Sequence, residues 1–122
     1  VYNQLTSTLT KKTHLDNVSL NLGGHMVGVL VKNLGHRVRR GLEQRDAAVR
    51  AGALGAVTMV FRGGRLVMPG VSDVTSEHPE FAEEVVERFQ PDENDVIVIV
   101  GADTRGKAEY GALAVAWSLL TG

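Results

Sequence analysis

Seven consecutive residues, Gly101-Ala-Asp-Thr-Arg-Gly-Lys107, put two glycines, a hydroxyl and two cations between a run of β-formers and an alanine-rich stretch. The chemistry of such a turn is electrostatic. If a helix begins there, its first unpaired N–H groups and the positive end of its dipole face the carboxyl end of the preceding strand and favour a phosphate or carboxylate. Gly101 and Gly106 free the backbone, Thr104 supplies a hydroxyl, and Arg105 and Lys107 add positive charge. Asp103 opposes a dianion unless it points away. Gly35-His36-Arg37 ends an earlier apolar run, and there His36 is the candidate base or proton shuttle. The expected ligand-binding set is therefore Gly35, His36, Arg37, Gly101, Thr104, Arg105, Gly106 and Lys107.

Other chemistries find less support. The chain has no cysteine, and His14, His25 and His78 share no metal-ligand spacing, so neither a metal nor a cofactor is expected. Gly101 to Lys107 also satisfies the G-x-x-x-x-G-K part of a phosphate-binding P-loop. Ala108 stands where a serine or threonine would ligate Mg²⁺, and no later strand supplies a second carboxylate. Arg37, Arg39, Arg40, Arg45 and Arg50 read as a solvated basic face balanced by Glu43 and Asp46. Glu83, Glu84 and Glu87 read as the polar side of an amphipathic helix.

The elements that would position these residues follow from periodicity. Met26–Val31, Ala56–Phe61 and Val96–Val100 are apolar runs of strand length, and the last has the continuous character of a strand buried on both faces. Between them lie helical patterns. Val38–Ala51 carries Val38, Leu42 and Val49 and stops at Gly52, while Pro79 opens a helix whose apolar face is Phe81, Ala82, Val85, Val86 and Phe89. A final helix presents Ala112, Leu113, Ala116, Trp117 and Leu120 inward, with Trp117 as core or interface. Residues 62–77 read as a long loop, and the threonine-rich Gln4–Asn17 as a weak helix. The order β-α-β-α-β-α predicts an α/β fold, three α/β/α layers around a parallel sheet of flavodoxin-like or Rossmann-like type. In such a sheet the loops after neighbouring strands converge, so His36 and Arg37 are expected to share a pocket with Thr104.

Length and composition bound the reading. A chain of 122 residues holds one domain, here residues 1–122 with a variable segment over 1–25. A net charge of −1 offers no basic surface for nucleic acid, and the apolar runs are too short to span a membrane. The amino terminus lacks a secretion-signal pattern, which makes the cytoplasm the expected location.

Gly24-His-Met-Val-Gly-Val-Leu-Val-Lys-Asn-Leu-Gly-His-Arg37, Arg50-Ala-Gly-Ala-Leu54 and Pro79 to Phe89 followed by Asp95 to Val100 resemble, in order and spacing, successive landmarks of sugar isomerase (SIS) domains of the small phosphosugar-binding type. The resemblance covers Met26 onward and only the amino-terminal half of such a domain, since the chain stops where a fourth strand would begin. It implies a sugar-phosphate ligand and, if the protein is an enzyme, isomerase-like chemistry with His36 or a glutamate as base. Family serines are missing at both turns: Arg37 stands where a serine is expected after Gly35-His36, and in the third-strand turn, of the form Ser-x-Ser-Gly in the family, Thr104 alone keeps a hydroxyl. The alternative function is therefore a non-catalytic structural or oligomerisation protein that kept the fold and lost the site. The resemblance and the uncovered sheet both imply a homo-oligomer, with Leu42, Val49, Trp117 and Leu120 as interface residues.

Overall fold

Val96-Ile-Val-Ile-Val100 lies at the centre of one sheet with every residue buried, as its unbroken apolar character requires. The structure is a computed structural model that describes residues 9–14, 25–38 and 41–121. In chain order its elements are β1 (Leu9–His14), β2 (His25–Val31), a 3-10 turn (Gly35–Arg37), α1 (Leu42–Arg50), β3 (Gly55–Arg62), β4 (Arg65–Met68), β5 (Ser72–Asp73), α2 (Val74–Glu77), α3 (Pro79–Phe89), β6 (Val96–Ala102) and α4 (Arg105–Thr121). Among the described residues six strands form a sheet of order β1-β2-β6-β3-β4-β5.

Each neighbouring pair in that sheet is antiparallel, which overturns the expected parallel, SIS-like sheet. β2 and β3 do run the same way, joined through α1, but they stand one strand apart. β6 fills the gap in the opposite direction, pairing Val27 with Val100 and Val31 with Val96 on one side, and Ala56 with Val100 and Val60 with Val96 on the other. The reversal comes from the segment expected to be a loop. Gly63 and Gly64 both have positive φ, 59° and 76°, the backbone that a tight hairpin demands and that glycine adopts without steric cost. The hairpin creates β4, which adds one traverse of the sheet, so the chain enters β6 from the edge opposite to the expected one.

Alternation along the strands sorts the core into two faces. Val27, Val29, Val31, Val60, Val96, Val98 and Val100 meet Ala48 of α1 and Ala108, Ala112, Val115, Ala116 and Leu119 of α4. Small residues on both sides let α4 approach closely: a Cβ built on Gly111 would stand 2.9 Å from Val100 Cγ1. Met26, Leu30, Met59, Leu66, Ile97 and Ile99 face the other way, against Val74 of α2 and Ala82, Val85 and Phe89 of α3. Helices thus cover both faces of an antiparallel sheet, and this produces the same continuous apolar run in β6 that a parallel sheet would.

Three further expectations change. Residues 9–14 form an edge strand on β2, with Lys12 opposite Val29, rather than part of a helix; the remainder of Gln4–Asn17 lies outside the described residues. Strand pairing satisfies backbone groups along β2 that a helix would leave open. The first helix starts at Leu42 and not Val38, because Val38 is extended and Gly41 takes a left-handed φ of 82°. On α4, Leu113 and Trp117 turn outward while Ala108, Ala112 and Ala116 turn in. No helix among the described residues is long and apolar enough to cross a membrane.

Candidate functional site

The register assigns the two expected turns to opposite rims of the sheet. One rim holds the end of β6 and the starts of β2 and β3, since His25 pairs with Ala102 and Gly55 with Gly101. The other holds Val31, Val60 and Val96. Gly101 to Lys107 belongs to the first rim and Gly35-His36-Arg37 to the second. The shared pocket is therefore corrected: antiparallel strands send consecutive turns to opposite edges, and His36 cannot meet Thr104 across a seven-residue strand.

At the first rim, strand, turn and helix follow one another as expected, with a short turn. Gly101 and Ala102 are still in β6, Gly101 O accepts the Leu54 amide at 2.8 Å, and only Asp103 and Thr104 connect to α4. Thr104 acts as the helix cap: its Oγ1 accepts the Lys107 amide at 3.2 Å and its carbonyl accepts the Ala108 amide at 3.1 Å. Lys107 Nζ lies 3.6 Å from Asp103 Oδ1, an exposed and solvent-screened ion pair. What stays open is the first turn, where Arg105 and Gly106 are exposed and a Cβ on Gly106 would meet nothing within 4 Å. Across β2, the exposed His25 stands at the same rim. The G-x-x-x-x-G-K match does not form a phosphate cradle, because its first two residues are committed to the sheet and its last three to a helix; Ala108 behind them is buried.

At the second rim, polar groups are consumed by one another. The Gly35 amide donates to Asn94 O at 2.9 Å, and a Cβ on Gly35 would lie 2.4 Å from Asn94 Oδ1 and 2.6 Å from Val60 Cγ1, so the glycine is there for close packing. Asn94 Nδ2 donates to Asn33 Oδ1 at 3.0 Å and lies 3.4 Å from His36 Nδ1. Arg62 Nη2 donates to Gly35 O at 3.0 Å. Arg37 Nη1 reaches Leu119 O at 2.7 Å and Leu120 O at 2.9 Å, placing a guanidinium on the carbonyl end of α4. That is a helix-end contact and occupies the side chain expected to greet a ligand.

Lys32, Asp92 and Asp95, none of them in the expected ligand-binding set, form an ion-paired cluster at this rim. Asp95 is a buried carboxylate that accepts from the Asn33 amide (3.0 Å), the Asp92 amide (2.7 Å) and Lys32 Nζ (2.8 Å). Lys32 also contacts Asp92 at 2.8 Å, and hydrogen bonds to Asp92 and then Asp95 hold its ammonium above the ordinary lysine value. The available signal was an aspartate directly before an apolar strand, a position where a carboxylate gathers turn amides. Elsewhere, Glu77, His78, Pro79, Glu80 and Phe81 line a shallow dent, and the described residues contain no group of three or more side chains able to hold a metal.

An antiparallel α/β domain with one exposed helix start and a self-contained polar rim is the class these observations define. The chain matches the family described as a domain of unknown function, DUF4443, over residues 22–119, and it belongs to that family. Among solved structures it is similar to the hypothetical protein PH0730 from Pyrococcus horikoshii OT3, with a TM-score of 0.72 and 25% identity over 98% of this chain. The match spans 60% of that protein's chain. No curated protein matches. Family membership and the antiparallel sheet together overturn the SIS resemblance. Its landmarks are generic: Gly52, with φ of 107°, ends a helix, and Gly35 relieves a packing conflict, whatever the fold.

Proposed function

We propose that this domain binds a small anion, such as the phosphate of a small phosphorylated ligand, at the first turn of α4, in a binding rather than a catalytic role. The observation that carries the reading is the open start of a 17-residue helix, where the Arg105 and Gly106 amides find no partner among the described residues and the Arg105 side chain is exposed beside them. A helix of that length presents a developed positive dipole end. His25 at the neighbouring strand adds a donor, while Asp103 is offset by Lys107. His36, the base expected from the sequence, lies at the far rim beside Asn94, and this supports binding without proton transfer.

Titration with inorganic phosphate, followed by amide chemical shifts, tests the reading. Shifts are expected to concentrate at residues 104–107, and Arg105→Ala is expected to weaken binding by about 1–3 kcal/mol, the range for a charge-assisted hydrogen bond. Absence of shifts there up to roughly 10 mM phosphate, an affinity too weak for a specific site, would refute it.

A further inference from the structure

The outer side of α4 carries Tyr110, Leu113, Ala114 and Trp117, which line one shallow groove. Spacings of three and four place them on a single helical face, opposite the buried Ala108, Ala112, Val115 and Leu119. Tyr110 is 64% exposed, Leu113 37% and Trp117 39%. No charged side chain interrupts the stripe.

We propose that this stripe is a homodimer interface in which two copies of α4 pair antiparallel about a two-fold axis passing between Leu113 and Ala114. The pattern is symmetric about its own midpoint. Tyr110 and Trp117 each stand three residues from the central pair, so an antiparallel partner sets Tyr110 against Trp117 of the second copy and Leu113 against its Ala114. Aromatic meets aromatic and large meets small, which is the self-complementarity that a two-fold interface requires. A parallel pairing would oppose Ala114 to itself and leave a gap.

Charge favours the same arrangement. Lys107 and Glu109 flank the stripe on α4. In the antiparallel register the two Lys107 side chains are separated by thirteen residues of helix rise, about 20 Å, and the two Glu109 side chains by nine, about 14 Å. Both distances exceed the screening length of roughly 8 Å in physiological salt, whereas a parallel pair would hold like charges abreast. α1 packs beside α4, and its Val49 is 43% exposed. The contact is small by the standard of obligate interfaces, so the expected dissociation constant is on the order of 1–100 μM.

The native chain has no cysteine, so a single introduced thiol reports proximity without background. Sedimentation equilibrium of the whole chain is expected to show a monomer–dimer equilibrium in that range, and Leu113→Arg to weaken it at least about tenfold, since it places two like charges at the centre. Because Leu113 is already on the surface, its thermal unfolding is expected to stay near wild type. Ala114→Cys should form a disulfide-linked dimer under mild oxidation, whereas Glu83→Cys, on the exposed side of α3, should not. A chain monomeric to roughly 500 μM overturns the proposal, and the face then belongs to a different partner. A dimer indifferent to Leu113→Arg, or Ala114→Cys cross-linking no faster than Glu83→Cys, overturns it equally.

Discussion

Lys32 Nζ lies 2.8 Å from Asp95 Oδ2, joining the end of β2 to the start of β6 through a carboxylate only 1% exposed. The same ammonium reaches Asp92, whose side chain is 81% exposed. These two acids differ sharply in what their removal should cost. Asp95→Ala removes the acceptor of two turn amides and of Lys32 and is expected to destabilise by about 2–3 kcal/mol. Asp92→Ala should cost about 1 kcal/mol or less. Urea unfolding of both variants checks the contrast.

The pH dependence of the Lys32 contribution has a definite sign. Its pKa is raised above the ordinary 10.5 by the two carboxylates. Stabilisation is therefore complete below 10.5 and is lost as pH rises through the elevated folded-state value. The stability difference between wild type and Lys32→Met should be constant from neutral pH to about 10 and shrink above it. A difference that shrinks on acidification to pH 6 would show that the pair is not its source.

Much of this architecture was legible in the residues. Val96 to Val100 announced a strand buried on both faces, Pro79 marked a helix start, and the turn at Asp103-Thr104 leads into a helix as its composition implies. Strand direction was not legible, because burial on both faces follows from helical cover and is indifferent to whether the neighbours are parallel. The deciding signal was Gly63-Gly64 between Phe61-Arg62 and Arg65-Leu-Val-Met68, a hairpin dipeptide flanked by strand formers. Without that hairpin β6 would run the other way, and His36 would share a rim with Thr104. Arg37 was misread for a different reason: an arginine that caps a helix 82 residues later has no local sequence mark.

Arg37 on the Leu119 and Leu120 carbonyls leads to a prediction about α4. Arg37→Ala leaves that helix end without its cation and is expected to cost about 1 kcal/mol, within the range for charges at a helix terminus. Amide hydrogen exchange should accelerate first in the last turn of α4. Phosphate affinity at the opposite end of the helix should remain within about twofold, well under the 1.4 kcal/mol of a tenfold change. A selective loss of phosphate binding with stability intact would return Arg37 to a ligand-binding role.

Thr58 gives the most direct test of packing near α1. It sits in β3 on the side facing α1 and α4, is 5% exposed, and its Oγ1 has no hydrogen-bond partner among the described residues. Gly41, just before α1, closes over it: a Cβ on Gly41 would stand 3.4 Å from Thr58 Cβ and 3.7 Å from Oγ1. A buried hydroxyl without a partner forfeits its hydration and gains nothing in return. Valine has nearly the same shape and the same β-branched preference for strands. Thr58→Val is therefore expected to raise stability by about 1 kcal/mol, read as a higher urea midpoint with an unchanged slope. Thr58→Ala, which removes the hydroxyl and a methyl group together, should fall below Thr58→Val because it opens a void against Gly41. Should Thr58→Val prove less stable than wild type, the hydroxyl has a hydrogen-bond partner in solution, and the segment around Gly41 is where that partner would be sought.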